Sequence, residues 1–171
     1  MSRLLVIRHG PAGDRDEFAK TSKDDSERPL TAQGKTKMRR AARGLRVLVP
    51  RIDILASSPY VRAHQTAKIV ADAYEGLDVQ LLKALIPDGS RSDILRWLRT
   101  APDNATVAIA GHETDLSELI AWLLTGSAKP WLELKKGGAC LIAYDGLPPA
   151  RPPAGRMEWC LTRAQLERLG R

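Results

Sequence analysis

Apolar positions in this chain follow two rhythms that alternate from the N-terminus onward. Residues 3 to 8, RLLVIR, are a short, nearly continuous apolar run of the length expected for a buried strand. Apolar residues at helical spacing follow over 31 to 48. The pair then repeats: strand-like 53 to 57, helical 59 to 74, strand-like 79 to 82, helical 90 to 100, strand-like 106 to 110 and helical 113 to 125. Parallel strands need crossover connections of helical length, so this alternation predicts a mostly parallel sheet with helices on both faces. The fold class is α/β, a single-domain three-layer αβα arrangement.

The rhythm changes after residue 125. Two apolar runs, 139 to 144 and 157 to 161, flank LPPARPPAGR (147 to 156), whose prolines make it a stiff loop. These runs are expected to be late strands, antiparallel to each other. Helix-end signals agree with the division. Ser58 followed by Pro59 reads as an N-cap with proline at the first helical position, and Thr162 with Gln165 reads as a capping box opening a last short helix. Neither an internal repeat nor a domain linker is visible.

Composition narrows the class. A chain of 171 residues with 43% hydrophobic content builds one core and hardly two. No apolar stretch approaches the roughly 18 residues that span a bilayer, and MSRLLVIRHG lacks the long apolar region and cleavage site of a signal peptide. A cytoplasmic protein with no membrane partner is expected. Cys140 and Cys160 do not form a C-x-x-C pair and are expected to be free thiols. The formal charge of +7 favours anionic partners, phosphates included. Lys35, Arg39, Arg43 and Arg46 fall on one side of the second predicted element, where a solvated helix face accounts for them. No aromatic residues interleave with them, so no nucleic-acid partner is expected. The 3 histidines lie too far apart for a zinc spacing, and no P-loop motif occurs.

Candidate chemistry sits where strands give way to helices. IRHG (7 to 10), ASSPYVRAHQTA (56 to 67) and IAGHE (109 to 113) each place polar residues at the carboxyl end of a strand. Those ends line the ligand crevice of an open parallel sheet, so Arg8, His9, Arg62 and His112 are expected to converge there. Two guanidiniums and two imidazoles, with helix N-termini near 59 and 113, suit a phosphoryl group. His9 is the candidate nucleophile, forming a covalent phosphohistidine. His64 lies about 200° around the helix from Arg62 and is given no role.

Together with ERPLTAQGK (27 to 35), these blocks resemble the histidine phosphatase superfamily, whose fold is phosphoglycerate mutase-like. The short chain, the absence of a long insertion between Arg62 and His112, and RPLTAQG are similar to its SixA-like phosphohistidine phosphatases. The resemblance implies one such domain over residues 1–171, with His9 as the phosphorylated nucleophile. It implies Arg8 and Arg62 as phosphate clamps, His112 as a second imidazole on the phosphoryl oxygens, and a mechanism without metal or cofactor.

One departure stands out. Many members carry an acidic residue shortly after the third strand to protonate the leaving group, whereas this chain has Lys83 and Ala84 there. Asp14, Asp16 and Asp88 are the substitutes the sequence offers from the pocket rim. An alkoxide is strongly basic, while imidazole, with a conjugate-acid pKa of about 6.5, departs readily. The expected substrate is therefore phosphohistidine on a protein, acted on by a monomer, with residues 11 to 28 forming a charged loop long enough to gate the entrance or contact the partner. The alternatives are a small-molecule phosphomonoesterase using one rim aspartate as acid, and a non-catalytic phosphate-binding module.

Overall fold

The computed structural model describes residues 1–22, 24–145 and 155–171. Among these described residues, six strands form one sheet in the order β3-β2-β4-β1-β5-β6. They are β1 (Ser2–Arg8), β2 (Ile54–Ser57), β3 (Val79–Leu81), β4 (Thr106–Gly111), β5 (Ala139–Tyr144) and β6 (Gly155–Leu161). The first four are mutually parallel, with β4 between β1 and β2, whereas β5 and β6 are antiparallel to their neighbours. The late strands and their orientation follow the sequence pattern. The expected proline loop lies, through residue 154, outside the described residues.

Among the described residues, six helices surround the sheet: α1 (Arg15–Ala19), α2 (Ala32–Leu48), α3 (Val61–Ala73), α4 (Arg91–Leu98), α5 (Asp115–Thr125) and α6 (Arg163–Leu169). Alternation along each strand divides the core in two. Leu5, Ile7, Leu55 and Ala108 face Met38, Leu45, Val70 and Leu166 from α2, α3 and α6. Leu4, Val6, Val107 and Ile109 face Leu95, Leu98, Leu119 and Leu123 from α4 and α5. Full burial of side chains on both faces of β1 and β4 explains why these strands read as continuous apolar runs.

Three expectations at element ends are corrected. Segment 11 to 28 is not a plain loop, for it holds α1 and a 3₁₀ turn at Asp25–Glu27. Ser58 does not cap α3. Its backbone N–H donates to the Ala110 carbonyl, its hydroxyl accepts from the Tyr60 N–H, and the helix starts at Val61 with Tyr60 as N-cap. Likewise α5 begins at Asp115, two residues later than expected, leaving His112 and Glu113 in the turn that precedes it. The Thr162–Gln165 capping box is present as read. Cys140 and Cys160 stand opposite each other on β5 and β6 as free thiols, the first buried and the second exposed.

Helix α6 lies on α2 at Gly44, where an added Cβ would run into the backbone of Leu166. Alanine is worth roughly 1 kcal/mol more than glycine inside a helix. Here that gain is outweighed because backbone cannot step aside as a side chain tip can. Gly44→Ala is expected to cost about 1 to 3 kcal/mol of stability, read as a lower denaturant midpoint.

Candidate active site

Strands β1 and β4 are neighbours, yet the chain leaves β1 for α2 on one face and leaves β4 for α5 on the other. Such a divergence opens a crevice at the carboxyl ends of the two strands. The turn after β1 presents His9 there, and the turn after β4 presents His112. The two turns are tied together by the His9 N–H, which donates to the Gly111 carbonyl at 3.0 Å. Gly10 has no room for a side chain against Met38, and its N–H donates to Thr66 Oγ1 at 2.9 Å. Thr66 in turn donates to the Arg62 carbonyl one helical turn back at 2.8 Å, fixing α3 relative to the end of β1.

His9 is buried, and its Nδ1 lies 2.8 Å from the Gly10 carbonyl. A carbonyl only accepts, so Nδ1 carries the proton and Nε2 is left with its lone pair. Desolvation lowers the His9 pKa to about 4. The hydrogen bond to Gly10 opposes this, and the charges of Arg62, Arg8 and Arg28 reinforce it. The ring is therefore a neutral base at physiological pH.

His112 packs at 5.3 Å from His9, centroid to centroid, and at 5.1 Å from the Tyr60 ring in a T-shaped arrangement. Its Nε2 is 2.9 Å from Ser58 Oγ. That hydroxyl accepts from the Tyr60 N–H and has one hydrogen to give; donated to Nε2, it leaves the ring proton on Nδ1. Nδ1 is buried and has no partner among the described residues. Burial, followed by Arg62 and His9, lowers the His112 pKa to about 3, so this ring is also neutral and offers a donor without adding charge.

The two arginines are held differently. Arg8 donates through Nη1 to the Leu134 carbonyl at 2.6 Å and lies 3.4 Å from Glu133. Arg62, only 4% exposed, lies over the Tyr60 ring and gives Nη1 to the Asp25 carbonyl at 2.8 Å and Nη2 to its carboxylate at 3.0 Å. The Nε atoms of both arginines are buried without a partner among the described residues. Asp25 also receives Arg28 Nε at 2.8 Å, and Arg15 approaches at 3.8 Å. Burial alone would raise the Asp25 carboxyl, but the Arg28 hydrogen bond and the charges of Arg62, Arg28 and Arg15 outweigh it and keep the group below its usual range.

These side chains enclose a pocket of about 260 Å³ lined by Arg8, His9, Arg62 and His112 together with Arg15, Asp25, Arg28, Pro87, Glu113 and Lys136. The four residues named from strand ends thus come together. The three rim aspartates do not join them. Asp14 caps α1 by accepting from Glu17 N–H, Asp16 is exposed on that helix, and Asp88 sits at positive φ with its N–H on Asp115. None of the three lines the pocket. The carboxyls that do are Asp25 and Glu113, neither singled out by the sequence reading, although Glu113 closes the IAGHE block and Arg28 lies within ERPLTAQGK. His64 remains outside, half-buried on α3. Among the described residues no group of three His, Cys, Asp or Glu side chains is placed to hold a metal ion.

A buried neutral imidazole with a free Nε2, walled by guanidiniums and by an unpartnered imidazole N–H, is equipped to accept a phosphoryl group. The family model of the histidine phosphatase superfamily (branch 1) matches residues 4–86. An uncharacterised protein of Picosynechococcus sp. is 38% identical over 138 residues, 79% of this chain and 81% of that one. The chain belongs to the histidine phosphatase superfamily. Within the superfamily it is similar to the phosphohistidine phosphatase SixA of Escherichia coli, 28% identical over 131 residues, 75% of this chain and 78% of that protein. In fold it resembles a protein histidine phosphatase SixA complexed with tungstate, with a TM-score of 0.79 at 24% identity over 96% of this chain and 99% of that one. The matched segment includes IRHG and the Arg62 block. It ends at residue 86, before His112.

Proposed function

We propose that this superfamily phosphatase hydrolyses phosphohistidine on a protein, using one catalytic domain over residues 1–171. In the first step the Nε2 lone pair of His9 attacks phosphorus in line with the departing nitrogen. The Nε groups of Arg8 and Arg62 and the Nδ1 proton of His112 take the charge on the equatorial oxygens. Donors already in place act without reorganising, and phosphoryl transfer depends chiefly on positioning and electrostatics. Water then cleaves the phosphohistidine at His9.

The observation that carries the choice of a protein substrate is the pocket itself. Its volume of about 260 Å³ falls just below the roughly 300–1,000 Å³ usual for small-ligand sites, and among the described residues Pro87 is the one apolar side chain in a wall otherwise charged or polar. Such a space receives a phosphoryl group and little of what carries it, which suits a side chain offered from a protein surface. Arg15 and Lys136 stand at the wall as cations for the partner. The similarity to SixA supports the nitrogen-linked phosphoryl group. The test is a turnover comparison between a histidine-phosphorylated carrier protein and common sugar and nucleotide phosphates. The phosphoprotein is expected to give the higher kcat/KM, and a higher value for any of the metabolites would replace this reading with the small-molecule one.

A further inference from the structure

Glu113 is the pocket wall residue for which neither the clamp nor the nucleophile accounts. It follows His112 in the turn before α5, and its carboxyl is fixed from one side by the Ser117 hydroxyl, which donates to Oε2. The other oxygen, Oε1, is buried with no partner among the described residues. A buried carboxyl oxygen left without a hydrogen bond is costly unless something arrives to share a proton with it. The pocket is where a substrate arrives, and the positions after β3 that hold Lys83 and Ala84 supply no acid.

From this placement we propose that Glu113 is the proton donor to the leaving group, a role resting on the reading of His9 as nucleophile. As the bond from His9 Nε2 to phosphorus forms, the bond from phosphorus to the leaving nitrogen or oxygen breaks, and its electron pair stays with the leaving group. Glu113 gives that group a proton and becomes a carboxylate. In the second step the carboxylate takes a proton from the attacking water. The new phosphorus–oxygen bond forms, the phosphorus–nitrogen bond to His9 breaks, and phosphate leaves with Glu113 reprotonated.

The direction of the Glu113 pKa shift agrees with the role. Burial raises the Glu113 carboxyl above its usual range; the Ser117 hydrogen bond and the Arg8 charge oppose this, and the Glu133 charge adds to it. Asp25, in the same pocket, is pushed the other way and stays ionised among three arginines. Two carboxyls separated in this manner are the mark of distinct proton-transfer and charge-holding roles. The consequence for substrates is a wider class: a donated proton lets imidazole depart as the neutral ring and also lets a poorly leaving alcohol go, so oxygen-linked monoesters become substrates as well.

The experiment measures the rate of His9 phosphorylation with aryl phosphates running from dinitrophenyl to unsubstituted phenyl, in wild type and in Glu113→Gln. Wild type is expected to depend weakly on leaving-group basicity and the variant steeply, with phenyl phosphate losing roughly 10²-fold or more and dinitrophenyl phosphate losing least. Glu113→Asp is expected to recover part of the phenyl phosphate rate. The basic limb of the wild-type pH profile should vanish in Glu113→Gln. Arg8 from β1, Glu133 from the segment before β5, Ser117 from α5 and Cys160 from β6 face this carboxyl. Because the hydrogen bond from Cys140 holds the Cys160 thiol below its usual range, both proteins carry Cys160→Ser for that measurement. Equal slopes in the two proteins, or a uniform loss across the series, would overturn the proposal while leaving His9 in place. Failure of wild type to form any phosphoenzyme at His9 would overturn the proposed function first and this inference with it.

Discussion

Replacing His9 with alanine is expected to abolish turnover, by roughly 10⁴-fold or more, while the protein remains folded. The expectation rests on geometry rather than on the presence of a histidine. Its Nδ1 proton is committed to the Gly10 carbonyl, so the lone pair can only be on Nε2, and burial keeps the ring from being protonated in competition. A brief reaction of wild type with labelled substrate should trap a phosphoenzyme that is lost in acid, as a phosphorus–nitrogen bond is, and the label should map to His9. A label mapping elsewhere, or full turnover in His9→Ala, would remove His9 from the mechanism. Tight phosphate binding with no phosphoenzyme and no turnover in wild type would make the domain a binding module instead.

Arg62→Lys is expected to lower kcat/KM by roughly 10²-fold or more, despite keeping the charge, because an ammonium is a point donor and cannot hold two groups in fixed directions. Arg62 uses both Nη atoms on Asp25, and its buried Nε has no partner among the described residues. A lysine could satisfy one of these demands only by abandoning the other. The same variant should weaken inhibition by inorganic phosphate, since the clamp acts on product as well as on the transition state. Unchanged kinetics and unchanged phosphate inhibition would place Arg62 outside the phosphoryl site and make its bond to Asp25 purely structural.

The strand ends were legible in the sequence because β1 and β4 are buried on both faces, so a polar residue at their termini interrupts a pattern that is otherwise uniform. His9 and His112 announced themselves in this way, and Arg62 did so through the block around it. Glu113 was hidden by its neighbour, since after His112 the helix was expected to have begun and a carboxylate in a first helical turn needs no further explanation. The chain in fact delays α5 to Asp115, and the delay is what turns Glu113 toward the pocket walls. Asp25 and Arg28 were hidden for a different reason. They lie in a charged segment without periodicity, and their meaning comes from Arg62 on α3, a contact across 37 residues of chain that no local pattern encodes. The same holds for the start of α3, where the serine expected to cap the helix is drawn instead to His112 across 54 residues.

The cysteine pair has a practical use. Cys140 is sealed in the core and Cys160 is exposed on β6, so a maleimide-linked fluorophore has a single accessible attachment point in the natural sequence. Its position is on the last strand of the sheet, outside the pocket wall, which leaves the phosphoryl site unoccupied. The hydrogen bond from Cys140 lowers the pKa of that thiol, against burial and the Glu113 charge, which raise it. A lowered pKa leaves more thiolate at a given pH, so Cys160 takes the label readily while Cys140 stays closed to the reagent.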